Sequence, residues 1–170
     1  MRKAVQDAVK KLYDVGIAIQ YFTADNYSDP PNFYDGMEYT FYKIPRKKPN
    51  PVPNSLYTYP DFLDFHGFHI ASSSANYCCG IPELGNYSLT KSRNTIFTTK
   101  NLILCFDLIK VNEDTGYLHL YTTSRAEDRW INNVLPQAGF RKKVTLPSKH
   151  GLGRYKVIMW DWLKEYDNES

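Results

Sequence analysis

No run of about 18 apolar residues occurs, so the sequence offers no membrane-spanning helix. Its first residues, Met1-Arg2-Lys3-Ala4-Val5-Gln6-Asp7, lack the apolar stretch of about 7–15 residues that a secretory signal needs, and the expected setting is soluble and cytoplasmic. Cysteine is scarce. Cys78, Cys79 and Cys105 are too few for a paired disulfide framework, and no CxxC or HExxH spacing is present, so no metal is expected. Charge of one sign is also lacking, with a net +3 over 170 residues. At 42% apolar and 23% charged the chain is too apolar and too weakly charged for a disordered polymer. Its length fits one domain spanning residues 1–170, since chains of roughly 100–200 residues usually build one core. What is abundant is tyrosine, 14 against 3 methionines, so many buried rings will carry hydroxyls that need partners.

Val5, Val9, Leu12, Tyr13 and Gly16 share one face of the first segment while Lys3, Asp7, Lys10, Lys11 and Asp14 lie elsewhere, which predicts a core-forming amphipathic helix. Ser28-Asp29-Pro30-Pro31-Asn32 reads as a turn and 37–44 as a strand. Pro45, Pro49, Pro51 and Pro53 cannot join a central ladder, so residues 45–60 are expected to form an exposed loop. Strands are expected at 68–71 and 76–81, with 83–87 continuing extended.

Leu102, Cys105, Phe106 and Ile109 recur at helical spacing, with Thr98 or Thr99 as N-cap and residues 112–116 as the exit. A buried strand over 102–106 is the alternative. Residues 117–123 predict a central strand, and Ser124-Arg125-Ala126-Glu127 reads as a capping box opening a helix. Trp130, Ile131, Val134, Leu135 and Ala138 form its buried face, Pro136 predicts a kink or early end, and Gly139-Phe140 a left-handed C-cap. Strands at 141–146 and 155–162 close the chain, followed by a frayed acidic tail at 165–170.

This order of strand, helix, strand, helix ending in Ala-Gly-Phe and closing two-stranded ribbon resembles the C-terminal half of the GNAT acyltransferase superfamily, over roughly residues 67–162. The resemblance implies a single three-layer α/β domain, a mixed central sheet flanked by helices. It also implies transfer of an acyl group from acetyl-coenzyme A to an amine on a small or macromolecular acceptor. The family holds the cofactor pyrophosphate on helix N-terminal amides, which assigns that part to Arg93, Thr98, Thr99, Lys100 and Asn101. Its loop pattern is Gln or Arg, two residues, Gly, one residue, Gly or Ala. Arg93-Asn94-Thr95-Ile96-Phe97-Thr98 keeps only the arginine, so the likeness is to divergent, phage-type members with a degenerate coenzyme A loop. Glu83, on what would be the cofactor-contacting strand, takes the part of the general base, a carboxylate with a raised pKa beside Ile81 and Leu84.

Other residue groups suggest other chemistry. Cys78 or Cys79 activated by His66 or His69 would make a cysteine-dependent hydrolase, with Cys79 as the nucleophile in question, although adjacent cysteines in an apolar strand also serve as small buried hydrophobes. Ser72-Ser73-Ser74 lacks a nucleophile elbow, and His119 between Leu118 and Leu120 reads as a structural histidine. Residues 141–156 carry Arg141, Lys142, Lys143, Lys149, Arg154 and Lys156 without an acid. A second basic group, Lys43, Arg46, Lys47 and Lys48, follows Tyr39, Phe41 and Tyr42. These suit a non-catalytic, viral accessory protein that binds nucleic acid or an acidic protein partner, and equally a solvated ribbon.

Overall fold

Val5, Val9 and Leu12 are buried on helix α1 (Lys3–Asp14), as the spacing requires. The helix stops where Gly16 turns to φ 86 and its N–H donates to Tyr13 O at 3.0 Å. The computed structural model describes residues 1–23, 37–45, 52–56, 67–71, 83–89, 96–113, 119–147 and 155–168. Among these residues seven strands follow: β1 (Ile17–Thr23), β2 (Met37–Lys43), β3 (Gly67–Ala71), β4 (Glu83–Leu89), β5 (His119–Arg125), β6 (Arg141–Pro147) and β7 (Lys156–Leu163). They form one sheet in the order β1-β2-β3-β4-β5-β7-β6. Every neighbouring pair is antiparallel except β4 with β5, which is parallel. Helix α2 (Thr99–Asn112) connects β4 to β5, and α3 (Arg129–Gln137) connects β5 to β6.

The result is the expected mixed α/β sheet with helices packed on it, although the described helices supply one layer of the three expected. Phe68 locates the helical layer, because its ring lies 6.2 Å from Phe106 on α2 and 5.9 Å from Trp130 on α3. Lys110 of α2 sits over the Trp162 ring of β7, and α1 packs on α2 and β1. The three described helices therefore share one face, and no described helix covers the other. The buried aromatic row Tyr39, Phe41, Phe68 and Phe106 forms the centre of the core. No described helix is long and apolar enough to cross a membrane.

The segment 102–106 is helical, capped by Thr98, whose side chain accepts from Asn101 N at 3.3 Å. Gly139 at φ 95 and the bonds Phe140 N to Leu135 O and Gly139 N to Pro136 O complete the expected C-cap, with Phe140 buried behind it. Three expectations are corrected, and one strand was not expected. The capping box does not form: Ser124 lies inside β5 and α3 starts at Arg129 after Asp128. Ser124 Oγ instead accepts from Trp160 Nε1 at 2.9 Å and donates to Asn132 Oδ1 at 2.5 Å, because strand alternation turns it into the core between those side chains. β1 had no counterpart in the expected elements: it is buried from Ile17 to Tyr21 on both faces, so it lacks the alternation that marks a strand. The proline-rich loop is not wholly exposed, since Leu56 is buried and its carbonyl accepts from Tyr21 N at 2.8 Å. The acidic tail is held over Lys164–Asn168 as a 3-10 turn, in which Tyr166 OH donates to Asp161 Oδ1 at 2.9 Å. The strand expected at 76–81 and the serines at 72–74 lie outside the described residues.

Ser124→Ala strands the Trp160 indole N–H in the core, and a buried donor left without its acceptor costs about 1–3 kcal/mol. The urea midpoint is expected to fall accordingly. An unchanged midpoint would show that this hydroxyl does not hold β5 to α3 and β7.

Candidate functional site

β4 and β5 each span seven residues, yet only Glu83↔Tyr121 and Leu84↔Thr122 are in register. Beyond Leu84, β4 stays on β3 through Ala71↔Gly85, His69↔Ser88 and Phe68↔Leu89, with a bulge between the first two pairs. Beyond Thr122, β5 stays on β7 through Thr123↔Met159, Ser124↔Ile158 and Arg125↔Val157. The strands part and leave a wedge open towards their carboxyl ends. At its vertex Thr122 Oγ1 donates to Leu84 O at 2.5 Å, both residues buried.

Both following helices begin at the mouth of this wedge. Phe68, level with Leu89, meets Phe97 just before α2 at 6.4 Å and Trp130 in the first turn of α3. Asn133 Nδ2 of α3 reaches Thr99 Oγ1 at 3.5 Å, which ties the two helix starts together. Helix N-termini at the carboxyl ends of diverging strands attract anions through unpaired N–H groups and the helix dipole. The first turn of α2 contains no acid and carries exposed Lys100. Thr98 uses the Asn101 N–H, so the amides of Thr99 and Lys100 are the first-turn donors left by the cap.

The structure brings Thr98, Thr99, Lys100 and Asn101 together at this mouth, and Asn101 Nδ2 donates to Ile96 O at 2.8 Å to fix the approach. Glu83 stands one register before the vertex pair, opposite Tyr121. Arg93, Cys79, His66, Lys149 and Arg154 lie outside the described residues. Arg141, Lys142 and Lys143 are exposed on β6, two strands beyond β5 and so about 10 Å from it at ordinary strand spacing. Exposed Lys156 begins β7. The expected acid-free ribbon is not free of acid in space: Lys143 Nζ is 3.5 Å from Asp161 Oδ1, and the Arg141 guanidinium lies 3.7 Å from the Tyr166 ring centre. His119 Nε2 is buried without a hydrogen bond, 3.4 Å from Asp161 Oδ2, whereas His69 Nδ1 meets Thr40 Oγ1 at 3.1 Å. Cys105 is fully buried, and burial pushes its thiol well up. Among the described residues no cluster of His, Cys, Asp and Glu could hold a metal ion.

Two titratable clusters away from the wedge were not anticipated. Asp107, Lys110 and Asp167 line a cleft of about 430 Å³ between α1, α2 and the 3-10 turn. Burial lowers the Lys110 ammonium pKa and raises that of the Asp107 carboxyl. Lys110 Nζ donates to Ala138 O. At the C-cap of α2, Glu113 Oε1 accepts from Tyr39 OH and from Tyr21 OH at 3.1 Å, while Asn112 Nδ2 donates to Tyr39 OH at 2.8 Å. The abundance of tyrosine was the signal that such hydroxyl partners must exist, but their identity depends on strand register.

Comparison with solved structures bears on the architecture alone. The chain is similar to an IAA acetyltransferase from Bacillus cereus ATCC 14579, at TM-score 0.50 and 10% identity over 86% of this chain and 99% of that one. It is also similar to a candidate streptothricin acetyltransferase from Bacillus anthracis str. Ames, solved in complex with acetyl coenzyme A, at TM-score 0.45 and 11% identity over 86% and 98%. A candidate acetyltransferase from Sphaerobacter thermophilus DSM 20745 gives TM-score 0.44 and 11% identity over 96% and 90%. No protein-family model matches the chain, and no curated protein matches it. At this identity the likeness to the Bacillus cereus structure shows the fold alone, which is GNAT-like.

Burial raises the Glu113 carboxyl above its ordinary value of 4.5, more than its two tyrosine bonds lower it. The folded protein therefore holds a proton that the unfolded chain has already lost. Stability from this group is complete below the ordinary value and is lost as pH rises through the raised one. In denaturation series across this window, Glu113→Gln is expected to lose less stability with rising pH than the wild type. Parallel curves would show that Glu113 is not the buried acid responsible.

Proposed function

We propose that the chain is a GNAT-like acyltransferase that moves an acyl group from acyl-coenzyme A, with acetyl-coenzyme A the expected donor, to an amine. The wedge carries this reading: a parallel strand pair that separates after two registers, with two helix N-termini at its mouth. Its anion-attracting end suits a pyrophosphate, and its narrow vertex suits an extended chain lying along β4.

The loop before α2 is a degenerate version of the family pattern, and phage-type divergence is part of the proposal. Of its two unusual side chains, one turns into the core and the other caps the helix start, which leaves the Thr99 and Lys100 amides uncapped. Ile96 packs partly buried against the core, close to Gly16, and Thr98 folds back onto Asn101 N. The amides of Thr99 and Lys100 and the Lys100 ammonium would hold the pyrophosphate. Acetyl-coenzyme A, when bound, would supply the acyl group as an activated thioester. Glu83, beside the vertex, would accept a proton from the acceptor ammonium. The freed nitrogen lone pair then forms the amide C–N bond as the thioester C–S bond breaks, and the sulfur leaves as the coenzyme A thiol, taking the second proton shed by nitrogen.

Titration with acetyl-coenzyme A at 100 times its dissociation constant is expected to stabilise the fold by about 2.7 kcal/mol. Glu83→Gln is expected to keep that stabilisation and lose at least about a hundredfold in acyl transfer near neutral pH. No stabilisation at millimolar ligand would sink the acyltransferase reading. Stabilisation with undiminished activity in the variant would remove only Glu83.

A further inference from the structure

β6 is the outermost strand of the sheet, and among the described residues it pairs with β7 alone. All seven of its residues are exposed. A strand in this position presents a row of backbone N–H and C=O groups away from its neighbour. Natural edges are usually blunted with lysine or a bulge, and the first half of β6 has both: Arg141, Lys142 and Lys143, with the register slipping between Lys142 and Val144. The second half carries no charge and no bulge, and only its last residue, Pro147, lacks an N–H to offer. From Val144↔Met159 to Pro147↔Lys156 the pairing is regular. Val144 and Leu146 are 40% and 45% exposed, and their registers with Met159 and Val157 place them on one face.

We propose that β6 is a docking edge that takes an extended, acidic segment of a partner protein as an added strand. An antiparallel segment would set apolar side chains against Val144 and Leu146 and acidic ones further along against Arg141, Lys142 and Lys143. Main-chain bonds supply the adhesion and the side-chain order supplies the register. The basic end is already ordered for this, with Lys143 beside Asp161 and Arg141 on the Tyr166 ring. Nucleic acid fits less well, because exposed Val144 and Leu146 offer nothing to phosphate.

The probe is a labelled synthetic peptide in which alternating valine and threonine are followed by glutamates, titrated against the full chain by fluorescence anisotropy. Saturable binding is expected, weakened at least about tenfold, or about 1.4 kcal/mol, by N-methylation of alternate peptide nitrogens. The pair Lys142→Glu and Lys143→Glu is expected to weaken it similarly and to favour a lysine-tailed peptide instead. Both substitutions are at exposed positions, and an unchanged far-UV spectrum confirms the fold. Absent saturation, or equal binding of the N-methylated peptide, overturns strand addition. Tighter binding of a duplex oligonucleotide, abolished by the same substitutions, overturns it in favour of a phosphate-binding surface.

Discussion

Among the described residues, strand pairing joins the β1–β4 half of the sheet to the β5–β7 half at two registers, Glu83 with Tyr121 and Leu84 with Thr122. Continued pairing would close the wedge, and none at all would leave two separate sheets. The Thr122 hydroxyl on Leu84 O fixes the point where separation begins. Because the sheet contributes so little across this seam, the helical layer must hold the halves together. α2 spans them: Asn112 bonds to Tyr39 at one side, while Lys110 bonds to Ala138 O and sits 4.7 Å from the Trp162 ring at the other. Phe68 extends the bridge through Phe106 and Trp130. The opening is therefore compatible with a continuous core.

This bridging places polar groups where water is scarce. Lys110 is 8% exposed, and its desolvation is offset by the Ala138 carbonyl, the Trp162 ring and the nearby charges of Asp107 and Asp167. Gly139 is bound to the same arrangement: at φ 95 it turns the chain after α3, and a Cβ there would come within 3.1 Å of Lys110 Nζ. Ser124, Trp160 and Asn132 make a second polar knot, with Asn132 Nδ2 also closing the turn through Arg125 O at 2.9 Å. Such buried groups are specific because each has a partner that no substitute reproduces.

Legibility in the sequence followed the strength of the local pattern. α1, α3 and the Gly139 cap were readable because apolar spacing and a glycine signal agree within a few residues. The buried strand β1 was not, since it shows no alternation to read. Ser124 misled for a physical reason: serine three residues before glutamate satisfies a helix start locally, but the alternation of His119–Arg125 turns that hydroxyl inward and displaces the start to Arg129. In the candidate site, Thr98–Asn101 could be found from the cap signal. The wedge could not, because it depends on two strands separated by a whole helix ceasing to pair. Likewise the charges of Arg141–Lys143 were visible, whereas Asp161 and Tyr166 reach them only through the β6–β7 register and the closing turn.

We propose the parting of β4 from β5 as the ligand site. Hydrogen exchange followed by mass spectrometry, with and without acetyl-coenzyme A, tests it most directly. Added protection is expected at residues 96–102, 128–133 and the diverging ends of β4 and β5, with β6 and the cleft beside Lys110 unchanged. Protection confined to the α1–α2 cleft, or no change anywhere at millimolar ligand, would contradict the account.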